Sequence, residues 1–178
     1  EAWIYGHDEV ISLLKDMAEK LYPAKQTQFI GDRLHLVVIN DGEERTLMGH
    51  KVTFFDIQST KAKQYGFCMD LGNGEKLTCC GDEPYNECEK KYAENSKWLL
   101  HEAFCLFDQA DQFHPYEKHH STAKDASELA EQLGVQNLIL YHTEDKNIAR
   151  RKELYTEEGK KYFHGNLFVP EDLERIQL

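Results

Sequence analysis

The sequence predicts an α/β (α+β) chain, a strand sandwich of mixed sheets covered by helices, forming a single domain over residues 1–178. Three observations predict it. The front half is a succession of short apolar runs separated by hairpin turns, the back half alternates strand with helix, and no repeat, low-complexity tract or linker divides them. With 178 residues and 40% apolar side chains, there is enough chain to bury a substantial core between such layers.

Each element has its own signal. Asp8 is placed to cap a helix running to about Leu21, in which Ile11, Leu14 and Met17, with Leu13 and Leu21, recur at helical spacing. Residues 34–39 read as a strand, Asp41-Gly42 as a hairpin turn, and residues 45–48 and 51–55 as further strands. Residues 65–70 and 76–80 flank Asn73-Gly74, a second hairpin signal, and the polar stretch 85–95 reads as helical. Residues 98–104 form a buried strand, followed by a loop rich in Asp, Gln and His. Thr122 then caps a helix with Asp125 as its capping-box partner. Ala126, Leu129, Ala130 and Leu133 make its inner stripe, and Gly134 ends it. Residues 137–141 are again a strand, and the tail holds short apolar pieces around Phe163 and Leu167-Phe168-Val169.

The net charge of −11 argues against non-specific nucleic-acid binding, which needs cation-rich surfaces that displace counterions. Lys118, Lys124, Lys146, Arg150, Arg151 and Lys152 come nearest to a basic patch and read as solvated faces. No apolar run approaches the roughly 18–20 residues of a membrane span, and no signal-peptide pattern is present. The five cysteines contain no CxxC pair, and the adjacent Cys79 and Cys80 point to opposite strand faces as core thiols. An odd count of this kind suggests reduced thiols and a cytoplasmic setting.

Three residues stand where strands or loops meet other elements, and a fourth lies inside a strand. Asp82 follows a strand, and an Asp there is more often a turn residue. His142 ends an apolar strand, where a hydrogen-bonded terminal histidine is the ordinary explanation. His120 precedes a capped helix, beside backbone N–H groups that favour an anion, although a surface-loop histidine looks the same. Together they gather the oxygen and nitrogen donors that zinc or manganese accepts. Glu102, inside an apolar strand, is costly to bury unless paired, and an imidazole is its expected partner. His50, His114, His119 and His164 lack supporting context and are expected to face solvent, as is His35.

These residues sit in familiar strings. "HEAF" (His101 to Phe104), "HST" (His120 to Thr122), the helix ending at Gly134-Val135, and "LILYH" (Leu138 to His142) closely resemble the ribonuclease Z branch of the metallo-β-lactamase superfamily. "CCGDEP" (Cys79 to Pro84) matches that family's GD segment, and Tyr65-Gly66-Phe67 and the closing "LFVPEDLERIQL" fit its order. The resemblance implies an αββα sandwich with one or two metals at the sheet rim, zinc in the first place and manganese as an alternative. It implies that Asp82 bridges two metals and His142 binds one. It assigns His120 as proton donor to the leaving group and Glu102 as the partner that orients it.

Two departures concern the metal ligands. The family's HxHxDH motif is absent from these 178 residues and is expected to lie before Glu1, leaving Asp82 and His142 as too few ligands for a catalytic centre. A further ligand histidine is expected near Gln58 or Ser59, where none is found. A third concerns substrate: the Gly/Pro-rich arm of tRNA-processing members has no room between Tyr65-Gly66 and Gly81-Asp82, which one tight hairpin joins. The expected function is a metal-dependent hydrolase acting on a small phosphodiester in preference to tRNA, with no membrane partner and a homodimer left open. The alternatives are a non-catalytic module that has lost its ligands and a tRNA 3′-processing endonuclease.

Overall fold

The computed structural model describes residues 1–178, and hydrogen bonding sorts its nine strands into two sheets. β1 (Ala2–Gly6) and β2 (Leu34–Val38) pair in parallel, because α1 (Asp8–Leu21) and the short α2 (Ala24–Thr27) connect them as a crossover. The second sheet holds β3 (Glu44–Leu47), β4 (His50–Asp56), β5 (Tyr65–Gly72), β6 (Glu75–Cys79), β7 (Trp98–Glu102), β8 (Asn137–Tyr141) and β9 (Asn166–Phe168), side by side in chain order. Pairing is antiparallel from β3 to β6 and parallel from β6 to β9. The change falls where hairpin connections without helices give way to connections carrying α3 (Lys90–Ala93), α4 (Ala110–Phe113), α5 (Ala123–Gln132) and α6 (Arg151–Gly159).

Alternation along the strands builds the core. Leu99 of β7 and Leu138 and Leu140 of β8 point to the helix-covered face, where they meet Ala126 and Ala130 of α5 and Tyr155 of α6. Trp98, Ile139 and Leu77 point the other way, into a smaller cluster edged by half-buried Phe67, Met69 and Phe168. The two sheets meet where Tyr5 stacks on Phe54, with ring centroids 6.4 Å apart. No helix is long and apolar enough to cross a membrane.

Several expectations need correction. Asp41-Gly42 does not close a hairpin: the chain leaves β2 there for the other sheet, and Met48-Gly49, both at positive φ (50° and 83°), makes the turn between β3 and β4. The cap of α1 is His7, whose Nδ1 accepts from the Val10 N–H, so Asp8 becomes the first helical residue. Only Ile11 of the apolar stripe on α1 is buried. Nine of the fifteen exposed large apolar side chains lie between Trp3 and Val38, since the two-stranded sheet offers α1 little surface to pack against. His35 does not face water freely; it is half-buried and stacks on Trp3 at 4.8 Å. Stretch 85–95 yields only a 3₁₀ turn (Glu87–Glu89) and α3, and the buried strand stops at Glu102. Helix α6 was not foreseen. By contrast Asn73-Gly74 (φ 55° and 78°), the Thr122–Asp125 capping box and Gly134 past the end of α5 (φ 66°) match expectation.

The 3₁₀ turn buries Glu89 completely. One carboxylate oxygen accepts from the Asn86 N–H, the other has no partner, and burial pushes the pKa up to about 7. The unfolded chain gives up this proton near the ordinary value, so stability falls as pH rises from about 4.5 towards 7. Glu89→Gln keeps an acceptor for Asn86 and removes the titration. It is expected to raise the melting temperature more at pH 8 than at pH 5, and equal shifts at the two pH values would refute this.

Candidate active site

Three adjacent parallel strands, β6, β7 and β8, necessarily end at the same sheet edge, where open sheets of this kind commonly bind ligands. That edge therefore receives Asp82 two residues beyond Gly81's upstream neighbour Cys80, Glu102 at the last position of β7, and His142 directly after β8. Gly81 turns at φ 81°, where a Cβ would stand 2.9 Å from Ile57 Cδ1, so glycine is needed to aim Asp82. His142 holds φ 53°, a conformation unusual for a non-glycine residue. His120 reaches the edge from a loop sewn to the end of β7. The Phe104 N–H donates to the Ser121 carbonyl, and the Ala123 N–H to that of Cys105.

Glu102 has no solvent exposure, and one of its oxygens accepts from the Ser121 N–H. Its other oxygen, Oε2, lies 3.4 Å from Nδ1 of His120, and neither atom has another hydrogen-bond partner. Burial pushes the Glu102 pKa up to about 8 and lowers that of His120. Both shifts disfavour a carboxylate–imidazolium ion pair. The far nitrogen of His120, Nε2, lies 3.3 Å from Nζ of Lys61. An ammonium can only donate, so Nε2 accepts and the ring proton is on Nδ1, facing Glu102.

The rings of His120 and His142 lie 5.1 Å apart, and Phe104 stacks on the other side of His120 at 4.9 Å. Asp82 makes no direct hydrogen bond to these groups, but its charge raises the proton affinity of both Glu102 and His120. The structure thus brings Glu102, His120 and His142 into one cluster and sets Asp82 in its electrostatic neighbourhood.

Lys61, Glu83 and Phe104 were missed as site residues. Glu83 is buried; it accepts from Ser59 Oγ at 2.7 Å and the Thr60 N–H at 3.2 Å, and stands 3.9 Å from Lys61 Nζ. It therefore fixes the loop that carries Lys61 to His120. The only available signal was the carboxylate following Asp82, since a lysine in a polar loop looks like any solvated charge. Gln58, where a ligand histidine is expected, is exposed at φ 57°.

For a metal the donors are right in kind and too few. Asp82 and His142 offer oxygen and nitrogen, but no three His, Cys, Asp or Glu side chains come together as a cation would need. These residues alone do not fit a resident metal.

No profile of a known protein family matches the chain. Over 101 residues it is 30% identical to ribonuclease Z of Bacillus thuringiensis (strain Al Hakam) and, equally, of Bacillus anthracis (strain A0248). Those matches cover 57% of this chain and 32% of each relative, so the matched part spans about a third of their length. Among solved structures, the metallo-β-lactamase fold protein YhfI from Bacillus subtilis superposes with a TM-score of 0.70 at 19% identity, covering 95% of this chain and 62% of that one. The short form of human tRNase Z gives 0.63 at 17%, covering 98% and 66%. Zn(2+)-bound PqqB from Methylobacterium extorquens gives 0.73 at 12%, covering 99% and 64%. These likenesses show the fold of metallo-β-lactamase fold proteins such as YhfI, and the matched 101 residues are similar to ribonuclease Z.

Proposed function

We propose that this chain carries the proton-donor half of a metal-dependent hydrolase that cleaves a small phosphodiester. The observation that carries it is His120: an imidazole backed on Nδ1 by buried Glu102, with its ring 5.1 Å from that of His142 at the sheet edge. Once Nε2 has taken up a proton from solvent, an imidazole whose Nδ1–H faces a carboxyl group can give that proton to a departing oxygen and return to its neutral form. The ribonuclease and tRNase names of the relatives support phosphodiester chemistry. A metal at this edge would be held by Asp82 and His142 with donors from outside these residues, zinc or manganese suiting such a set, and would supply an activated water.

The test is release of nitrophenolate from bis(p-nitrophenyl) phosphate by the protein supplied with zinc or with manganese. Turnover that falls with chelation and with Asp82→Asn supports the hydrolase. A second reading, a module that binds without turnover, draws on the incomplete donor set. No turnover at saturating levels of either metal would decide for it. A tRNA 3′ end is the less favoured substrate, since the β5–β6 connection is a tight Asn73-Gly74 turn that carries no arm.

A further inference from the structure

Three lysines linked to His120 directly or through aromatic rings form a pattern that proton donation does not use. Lys61 approaches Nε2 from one side at 3.3 Å. On the other side, Phe104 stacks on the His120 ring and meets Phe113 edge-on, with centroids 6.3 Å apart. Lys118 holds its ammonium 5.3 Å from the centre of the Phe104 ring, and Lys146 holds its own 5.4 Å from that of Phe113. One cation thus touches the imidazole directly, and two more follow it outward along the Phe104 and Phe113 rings, in a protein whose net charge is −11.

We propose that Lys61, Lys118 and Lys146 form a cationic collar around His120 that takes a ligand with more than one phosphate charge. Its location rests on the hydrolase reading above, but its chemistry does not. Lys61 is the inner member. Its one acidic neighbour, Glu83, is 3.9 Å away and already accepts from Ser59 and Thr60, so the ammonium keeps N–H groups free for phosphoryl oxygens. Lys118 and Lys146 each rest one side on a ring and turn the other to solvent, in the manner of surfaces that take a flanking phosphate beside a stacked group. Asp82 and Glu83 oppose an anion at the inner position. A doubly charged phosphate spreading outward over Lys118 and Lys146 escapes them, whereas a single phosphate does not. The collar therefore selects a pyrophosphate-like or multiply phosphorylated ligand over orthophosphate.

Inorganic pyrophosphate and orthophosphate serve as probes. The chelator-treated protein is titrated with each at constant ionic strength, and binding is followed through the ring Cε1–H resonances of its nine histidines. Pyrophosphate is expected to move His120 and His142 and to bind more tightly than orthophosphate. Lys61→Gln should weaken pyrophosphate about tenfold, the loss of one charge-assisted hydrogen bond, while Lys61→Arg keeps most of the affinity. The double variant Lys118→Gln/Lys146→Gln should flatten the dependence of affinity on salt and narrow the preference over orthophosphate. Unchanged affinity in Lys61→Gln, or shifts confined to His50, His114 and His164, would overturn the collar. Pyrophosphate binding through Lys61 without hydrolysis of any diester keeps the collar and removes the hydrolase. Diester hydrolysis indifferent to all three lysines does the reverse.

Discussion

His120→Ala is expected to slow hydrolysis of an alkyl phosphodiester by about 10²–10⁴-fold while changing that of an activated aryl diester far less. An aryl oxide departs without help, whereas an alkoxide needs the proton that His120 would give. The geometry supplies the reason for a large effect, because the imidazole is already oriented by Glu102, whose own oxygen is committed to the Ser121 N–H. Asp82→Ala should instead lower both substrates together, since both depend on an activated water whichever group leaves. The measurement is the ratio of kcat/KM for the two diesters in each variant. Equal losses on both substrates in His120→Ala would reassign that histidine to substrate contact and leave the proton donor unidentified.

Leu138→Ala is expected to cost about 2–5 kcal/mol of folding stability. Leu138 has no solvent exposure and lies in β8, hydrogen-bonded on both sides by β7 and β9, so neither neighbour can shift inwards to fill the space. Across the core it belongs to the cluster of Ala126 and Ala130, whose single methyl groups cannot reach into the gap. Denaturant unfolding of the variant should show a lower midpoint with an unchanged slope. A loss below about 1 kcal/mol would mean that this core repacks more freely than its layers suggest.

What could be read from the residues was what local chemistry determines. The Thr122–Asp125 box, the Asn73-Gly74 turn and the apolar alternation of residues 137–141 each act within a few positions, and each is where it was expected. Asp41-Gly42 misled because a turn dipeptide says that the chain reverses, not which strand it will pair with. β2 found β1 across a crossover, and that partnership is decided by tertiary packing. The helix α6 carries a weak apolar stripe and leans on Tyr155 and on the side of α5 for its burial, so periodicity gave it no signal. In the site, Glu102 announced itself as a carboxylate in an apolar strand, and its pairing with His120 could be expected. Lys61 could not, because only the fold brings a loop fifty-nine positions upstream to the other nitrogen of the same ring.

The uneven cover of the two sheets also gives the chain a pair of built-in optical reporters. Its two tryptophans fall one on each side of that divide: Trp3 on β1 is 50% exposed, Trp98 on β7 only 5%. Water-relaxed, quencher-accessible emission therefore belongs to the small sheet, and blue-shifted, protected emission to the large one. Unfolding followed at the two ends of the emission band separates the melting of one layer from that of the other without any label being added.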